Sequence, residues 1–245
     1  MSHYVQTMSW DSEFFGRPIG RILCSQLNKT TVRATLEEAQ SYGLQCLYFE
    51  ADPNDWTTTT TAQEHGFQLV DVRVTLEHPF RNRPAPALRY PIPVNLVIDT
   101  PCDGEIERLQ DIGAQIGFTS RFAFDQNFGR DDCERLYRLW IKNSCNGFAD
   151  IVLVARWSQH GEAVGLITCL TRDGIADIQL AGIHVDHRQR GVGTGLVQAA
   201  LDWAKKQKVE QMLVVTQARN VPAQRLYQQM GFFTKSMTLY YHKWL

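Results

Sequence analysis

The spacing of apolar residues along the chain changes period several times, and each change predicts an element. In "GVGTGLVQAALDWAKKQKV" the apolar Leu196, Val197, Ala200, Leu201 and Ala204 share one helical face, and "QMLVVTQ" follows as an apolar strand. Upstream, "DIVLVARW", "AVGLITCLT" and "ADIQLAGIHVD" are strand-like runs with turn residues in "SQHGE" and "RDG" between them, which predicts an antiparallel meander. The last of these strands, the long helix and "QMLVVTQ" make a crossover, so the strands at its two ends are predicted to be parallel. "NLVIDT" reads as a strand, "EIERLQDIGAQIG" as a helix, and "CERLYRLWIKNSC" as a second helix with Leu136, Leu139 and Trp140 at i, i+3 and i+4. The stretch between these helices, "FTSRFAFDQNFGRD", reads as a loop. "NVPAQRLYQQMGFF" predicts a short helix capped by Asn220, with Pro222 in its first turn and Gly231 at its end, and "FFTKSMTLYYHKWL" closes the chain as a strand. The class is mixed α/β.

The clearest break is "HPFRNRPAPALRYPIPVN", residues 78–95, where five prolines and no apolar period suit an extended connector. It suggests a domain over 1–92 and another over 93–245. The front part echoes the ending. "AQEHGFQLVDVRVTLEHPF" repeats the order helix end, Gly-Phe, strand found in "YQQMGFFTKSMTLYYHKWL", so the first segment reads as a degenerate half-copy of the same topology.

Charge narrows the choice of ligand. With 25 Lys+Arg against 26 Asp+Glu, no global field gathers nucleic acid or an anionic membrane, so anion binding must come from a local site. The six cysteines form no C-x-x-C pair and no metal-like spacing, and they read as reduced thiols of a cytoplasmic protein that holds no metal. No stretch approaches the roughly 18 apolar residues of a membrane span.

The strongest chemical signal is "HVDHRQRGVGTGLV", a strand running through a glycine-rich turn into the long helix. Gly191, Gly193 and Gly195 leave backbone N–H groups uncovered, and the helix N-terminus adds partial positive charge, a setting that suits a pyrophosphate. The glycines match neither G-x-G-x-x-G nor a P-loop. They match R-x-x-G-x-G, as Arg188, Gly191 and Gly193, and this resembles the coenzyme A loop of the GCN5-related N-acetyltransferase (GNAT) superfamily. The early "WDSEFFG", the "TSRF" loop followed by "LYRLWIKNSCNG", and the late "LDWAKKQKVEQMLVVTQARNVPAQRLYQQMGF" are further similar to one branch, the dTDP-fucosamine (dTDP-4-amino-4,6-dideoxygalactose) N-acetyltransferases.

That resemblance implies a mostly antiparallel sheet in which "LAGIHVD" and "LVVTQ" splay apart to admit acetyl-CoA, with Ala181 and Gly182 suited to a bulge. Ile183 and Val185 would then give pantetheine its backbone contacts, and Gln189, Arg190, Gly191, Val192, Gly193, Thr194 and Gly195 would cradle the phosphates. The family's general acid is a tyrosine seven residues after a coenzyme-contacting asparagine, a spacing kept here by Asn220 and Tyr227. Leu226 stands where the family pattern has an arginine, and Arg225 lies one residue earlier. Asp177 and Gln179 alternate with apolar neighbours and offer polar groups near the acyl site, although a solvated strand face gives the same pattern. Arg121 could pair with an acceptor's phosphate, and Phe122, Phe124, Phe128 and the front segment "WDSEFFG" could stack on its base; a surface salt bridge and a packed core are the plain alternatives. The expected acceptor is the amine of a dTDP-amino sugar. Other readings are a peptide, lysine or antibiotic amine as acceptor, or an acyl-CoA-binding module with no use for Tyr227. The C-terminal "TLYYHKWL" offers an edge through which two copies could pair as a homodimer.

Overall fold

A computed structural model of the protein describes residues 3–80 and 91–245. In chain order the elements are β1 (Val5–Thr7), α1 (Ser9–Phe15), β2 (Ile19–Ile22), α2 (Lys29–Ser41), β3 (Cys46–Ala51), α3 (Trp56–Glu64), β4 (Gln68–Pro79), β5 (Val97–Asp99), α4 (Ile106–Gly117), α5 (Arg121–Phe124), α6 (Arg130–Asn143), β6 (Ile151–Arg156), β7 (Ala163–Arg172), β8 (Ile175–Ile183), α7 (Val192–Lys206), β9 (Gln211–Gln217), α8 (Val221–Gln229) and β10 (Phe233–Trp244). The connector expected at 78–95 falls mostly outside the described residues. None of the helices described is long and apolar enough to cross a membrane.

Contacts divide the chain into one unit of Met1–Arg73 with Met237–Leu245 and a second of Val74–Ser236. The division runs through β4 and β10 rather than through a loop. In the first unit β2 pairs parallel with β3, and β3 pairs antiparallel with the end of β10, from Leu239↔Ala51 to Trp244↔Cys46. Its core holds Leu27, Val32, Leu47, Phe49 and Tyr241, all nearly inaccessible.

In the second unit β6, β7 and β8 pair antiparallel in sequence order, as the meander predicts; β5 adds to β6, also antiparallel, and β8 pairs parallel with β9. The face of α7 read from the sequence is the buried one, since Leu196, Val197, Ala200, Leu201 and Ala204 all lie in the core. Val74 and Leu76 of β4 are fully buried in that same core, so the front of the chain supplies a strand to the second unit. On α6 the buried face is Cys133, Leu136, Tyr137 and Ile141, while Leu139 and Trp140 are half-exposed. The choice between two adjacent stripes is made by α4, whose Gly113 and Gly117 let Ile141 and Tyr137 pack where a Cβ would stand 2.4 and 3.0 Å away.

Candidate active site

The parallel pairing of β8 with β9 stops early. It runs from Ile175↔Gln211 to Ile178↔Val214, leaving Gln179–Ile183 of β8 and Val215–Gln217 of β9 unpaired with each other. The parting coincides with a bulge. Against β7, Thr168 faces Leu180 and the next residue, Cys169, faces Ile178, so Gln179 is the extra residue. The bulge therefore lies at Gln179 and not at Ala181–Gly182. Gly182 has a different cause: α4 crosses so close that a Cβ there would stand 2.8 Å from Ile116 Cδ1.

Beyond the strand, the chain turns through a short 3-10 helix, Val185–His187, and reaches Gly191, which takes the left-handed conformation at φ 81°. A Cβ on Gly191 would stand 2.8 Å from Pro93 Cδ, and one on Gly193 2.9 Å from Leu226 Cδ2. Gly195 is crowded in the same way by Leu96. These glycines admit close neighbours as well as leaving their amides uncovered. No side chain caps α7, and its first turn closes with the Gly195 N–H donating to Gly191 O at 3.0 Å. The N–H groups of Gln189, Arg190, Gly191, Val192, Gly193 and Thr194 have no acceptor among the described residues. Six consecutive amides at a helix N-terminus form a ready anion cradle.

The residues expected to meet pantetheine are partly engaged. Ile183 O accepts a hydrogen bond from Arg188 Nε at 3.1 Å, and the Val185 N–H donates to Gln115 Oε1 at 3.1 Å. Val185 belongs to the 3-10 turn rather than to the strand. Nothing in the sequence pointed to Gln115, because a polar residue on an amphipathic helix looks like one facing solvent.

Asn220 caps α8 by accepting from the Ala223 N–H at 3.3 Å. One turn further on, Tyr227 is only 5% exposed and is the buried residue of this helix, whereas Ala223 and Leu226 are half-buried. Tyr227 is thus at the centre of the inward face and not on its flank. Its ring meets Phe232 edge to face at 5.5 Å, and it shares a core with Ile178, Val214 and Cys169, the residues around the point where β8 and β9 part. Its hydroxyl makes no hydrogen bond with the described residues. Burial pushes the phenol well above its ordinary range, and the nearby Cys169 pushes it the same way.

Asp177 alternates with Ala176 and Ile178, which face the Tyr227 core, so its side chain leaves β8 on the other face. It is half-buried, and desolvation raises its carboxyl above the usual range despite an opposing effect from Arg172. Gln179, in the bulge, is exposed. Arg121 opens the short helix α5, absent from the expected loop, and lies over the ring of Phe122 at 4.2 Å. Of the loop's aromatics, Phe122 and Phe128 are core residues packed against each other, and Phe124 is exposed.

Residues 118–232, which include the fork, the cradle and Tyr227, match the acetyltransferase (GNAT) family. This segment is a GNAT acetyltransferase domain. The structure of a GCN5-related N-acetyltransferase from Sphaerobacter thermophilus superposes on 98% of this chain and 76% of that one with a TM-score of 0.68 at 16% identity, a likeness of fold. Two curated relatives are similar in sequence. The spore coat polysaccharide biosynthesis protein SpsD of Bacillus subtilis is 28% identical over 144 residues, 59% of this chain but only 49% of that protein. A dTDP-fucosamine acetyltransferase of Escherichia coli O6:H1 is 24% identical over 98% of this chain and 97% of its own. No group of three or more potential metal ligands gathers among the described residues.

Proposed function

We propose that the chain transfers the acetyl group of acetyl-CoA to the amine of a dTDP-linked amino-dideoxy sugar, with Tyr227 as the acid that meets the departing thiolate. The observation that carries the acceptor is the likeness to a dTDP-fucosamine acetyltransferase along 98% of this chain and 97% of that one, well beyond the segment common to GNAT proteins. The unpartnered amides from Gln189 to Thr194 support a pyrophosphate there, and Arg188 and Gln115 hold the backbone that leads to them.

Acetyl transfer needs an uncharged amine, a polarised carbonyl and a proton for the sulfur. In water, moving a proton from a phenol to a thiolate is uphill by about 1.5 pKa units, or roughly 2 kcal/mol. Burial raises Tyr227, which alone would widen the gap. The same surroundings raise a thiol too: desolvation lifts the neighbouring Cys169 far above its ordinary range. A thiolate expelled into similar surroundings is also a stronger base than in water, which acts against that widening. Backbone N–H groups freed where β8 leaves β9 suit the carbonyl oxygen as charge develops on it. Asp177 and Gln179, at that point on the strand, would face the amine, and the raised affinity of Asp177 for a proton suits an acceptor of the ammonium proton.

The experiment is release of free thiol from acetyl-CoA against dTDP-amino sugars, peptides and aminoglycosides. Turnover with the dTDP-amino sugars and not with the rest is expected. Tight acetyl-CoA binding without turnover of any acceptor would instead mark an acyl-CoA-binding module.

A further inference from the structure

The segment from the end of α4 to the start of α6 leaves two phenylalanines partly in water beside two that it buries. Phe122 and Phe128 are 2% and 5% exposed, whereas Phe118 and Phe124 are 42% and 58% exposed. Each of the outer rings is overlain by a guanidinium: Arg130 Cζ lies 4.5 Å from the centroid of Phe118, and Arg219 Cζ lies 4.0 Å from that of Phe124. Phe118 and Arg130, with Ala123 and Phe128, line a cavity of about 410 Å³. Arg219 immediately precedes Asn220, so its contact with Phe124 brings this segment to the end of β9, beside the open end of the fork.

We infer that this cavity receives the nucleoside diphosphate end of the acceptor, with the base against Phe118 and the diphosphate on Arg130, which lines the cavity, and reaching toward Arg219 outside it. The inference rests on the nucleotide-sugar reading above and names the residues that would recognise the nucleotide. Three physical points carry it. A guanidinium lying over an aromatic ring is steadied by that contact, so part of the cost of ordering it for phosphate oxygens is met before the ligand arrives. The volume falls within the range of roughly 300–1,000 Å³ usual for small-molecule sites, and exposed aromatic faces recover stacking and apolar burial when a base covers them. The sign of the charge also discriminates, because two arginines repel the cationic amines of a lysine side chain or an aminoglycoside and attract a diphosphate. Arg130 pairs with Glu134 at 3.4 Å, but the arginine is largely solvated and the glutamate half-buried, and pairs open to water on one side contribute little. Arg121, the arginine singled out from the sequence, has its Cζ 4.2 Å from the ring of the buried Phe122.

The test measures dTDP binding by calorimetry, together with thiol-release kinetics on dTDP-amino sugars, for wild type, Phe118→Ala, Arg130→Gln and Arg219→Gln. Each substitution should weaken dTDP by at least about tenfold and raise the acceptor KM, and the KM for acetyl-CoA should stay unchanged as the control for folding. If dTDP-amino sugars are acetylated and the variants bind dTDP as wild type does, this inference falls while the nucleotide-sugar reading stands. If wild type binds neither dTDP nor UDP and acetylates a different amine, both fall.

Discussion

Asp55 and Asn220 each accept a hydrogen bond at the start of a helix, from the N–H of Thr58 at 3.0 Å and of Ala223 at 3.3 Å. Each of these helices, α3 and α8, then stops on a left-handed glycine, Gly66 at φ 72° and Gly231 at φ 88°. The residue after the glycine is a buried phenylalanine whose N–H reaches back into the helix, Phe67 to Ala62 O at 2.9 Å and Phe232 to Tyr227 O at 3.0 Å. The two segments match position for position, and the first has Ala62 where the second has Tyr227. What precedes them also matches in order, with β2, α2 and β3 in the first unit against β8, α7 and β9 in the second, each strand pair being parallel. The differences fall where chemistry is proposed. Asn28 satisfies the N-terminus of α2 through a capping box, whereas α7 leaves its amides open. Strand β2 stays paired with β3 as far as Arg21, its penultimate residue, whereas β8 leaves β9 at Ile178. One framework can thus be closed by local hydrogen bonds or opened into a site.

The largest effect should come from cutting the chain at the expected boundary. Residues 93–245 alone lack β4, and with it Val74 and Leu76 of the second core; each buried side chain of this kind contributes roughly 1.5–3 kcal/mol. This piece should melt far below residues 74–245 in circular dichroism, and an equal melting temperature would show that β4 is dispensable. Next, Tyr227→Phe should lower turnover by at least about tenfold, within the 10²- to 10⁴-fold usual for loss of a general acid, while acetyl-CoA affinity is retained. Near wild-type turnover would make Tyr227 a core residue like Ala62.

Glycine substitutions sharpen the contrast between the two units. Gly191→Ala adds left-handed strain of about 1–2 kcal/mol and a clash with Pro93, and should weaken acetyl-CoA by at least about tenfold. Gly66→Ala adds similar strain but meets only the end of the Lys243 side chain, so it should lower the melting temperature and leave coenzyme affinity intact. The smallest effect concerns pH. The folded state raises the pKa of Tyr227 and therefore favours the neutral phenol, so its contribution to stability is complete below the unfolded value of about 10 and is lost as pH rises beyond it. Wild type and Tyr227→Phe should differ in the pH dependence of melting only above about pH 10, and this phenol should give turnover no alkaline limb below that value.

The meander, the crossover and the buried face of α7 were legible in the sequence because each is local and periodic, as with Leu196, Val197, Ala200 and Leu201. The bulge was misread for a physical reason. Glycine in a strand marks close approach by any neighbour, and at Gly182 the neighbour is a helix; the residue that interrupts the ladder, Gln179, has no special backbone need to betray it. Gln115, Arg130 and Arg219 were not legible either, because their partners lie far away in sequence or belong to surface rings that read as core. The family resemblance singled out Tyr227 by its spacing from Asn220, but its central place in the helix face was not legible, since a 3.6-residue period cannot tell which of two adjacent stripes another element will cover.

The pairing of β3 with β10 joins Cys46–Ala51 to Leu239–Trp244. During synthesis the first unit must therefore wait, with one side of β3 unpaired, until Leu239–Trp244 have left the ribosome. The second unit, whose strands arrive in near succession, can form around its fork while the first still waits for Leu239–Trp244, so the part proposed to do chemistry is also the part whose folding does not depend on that late pairing.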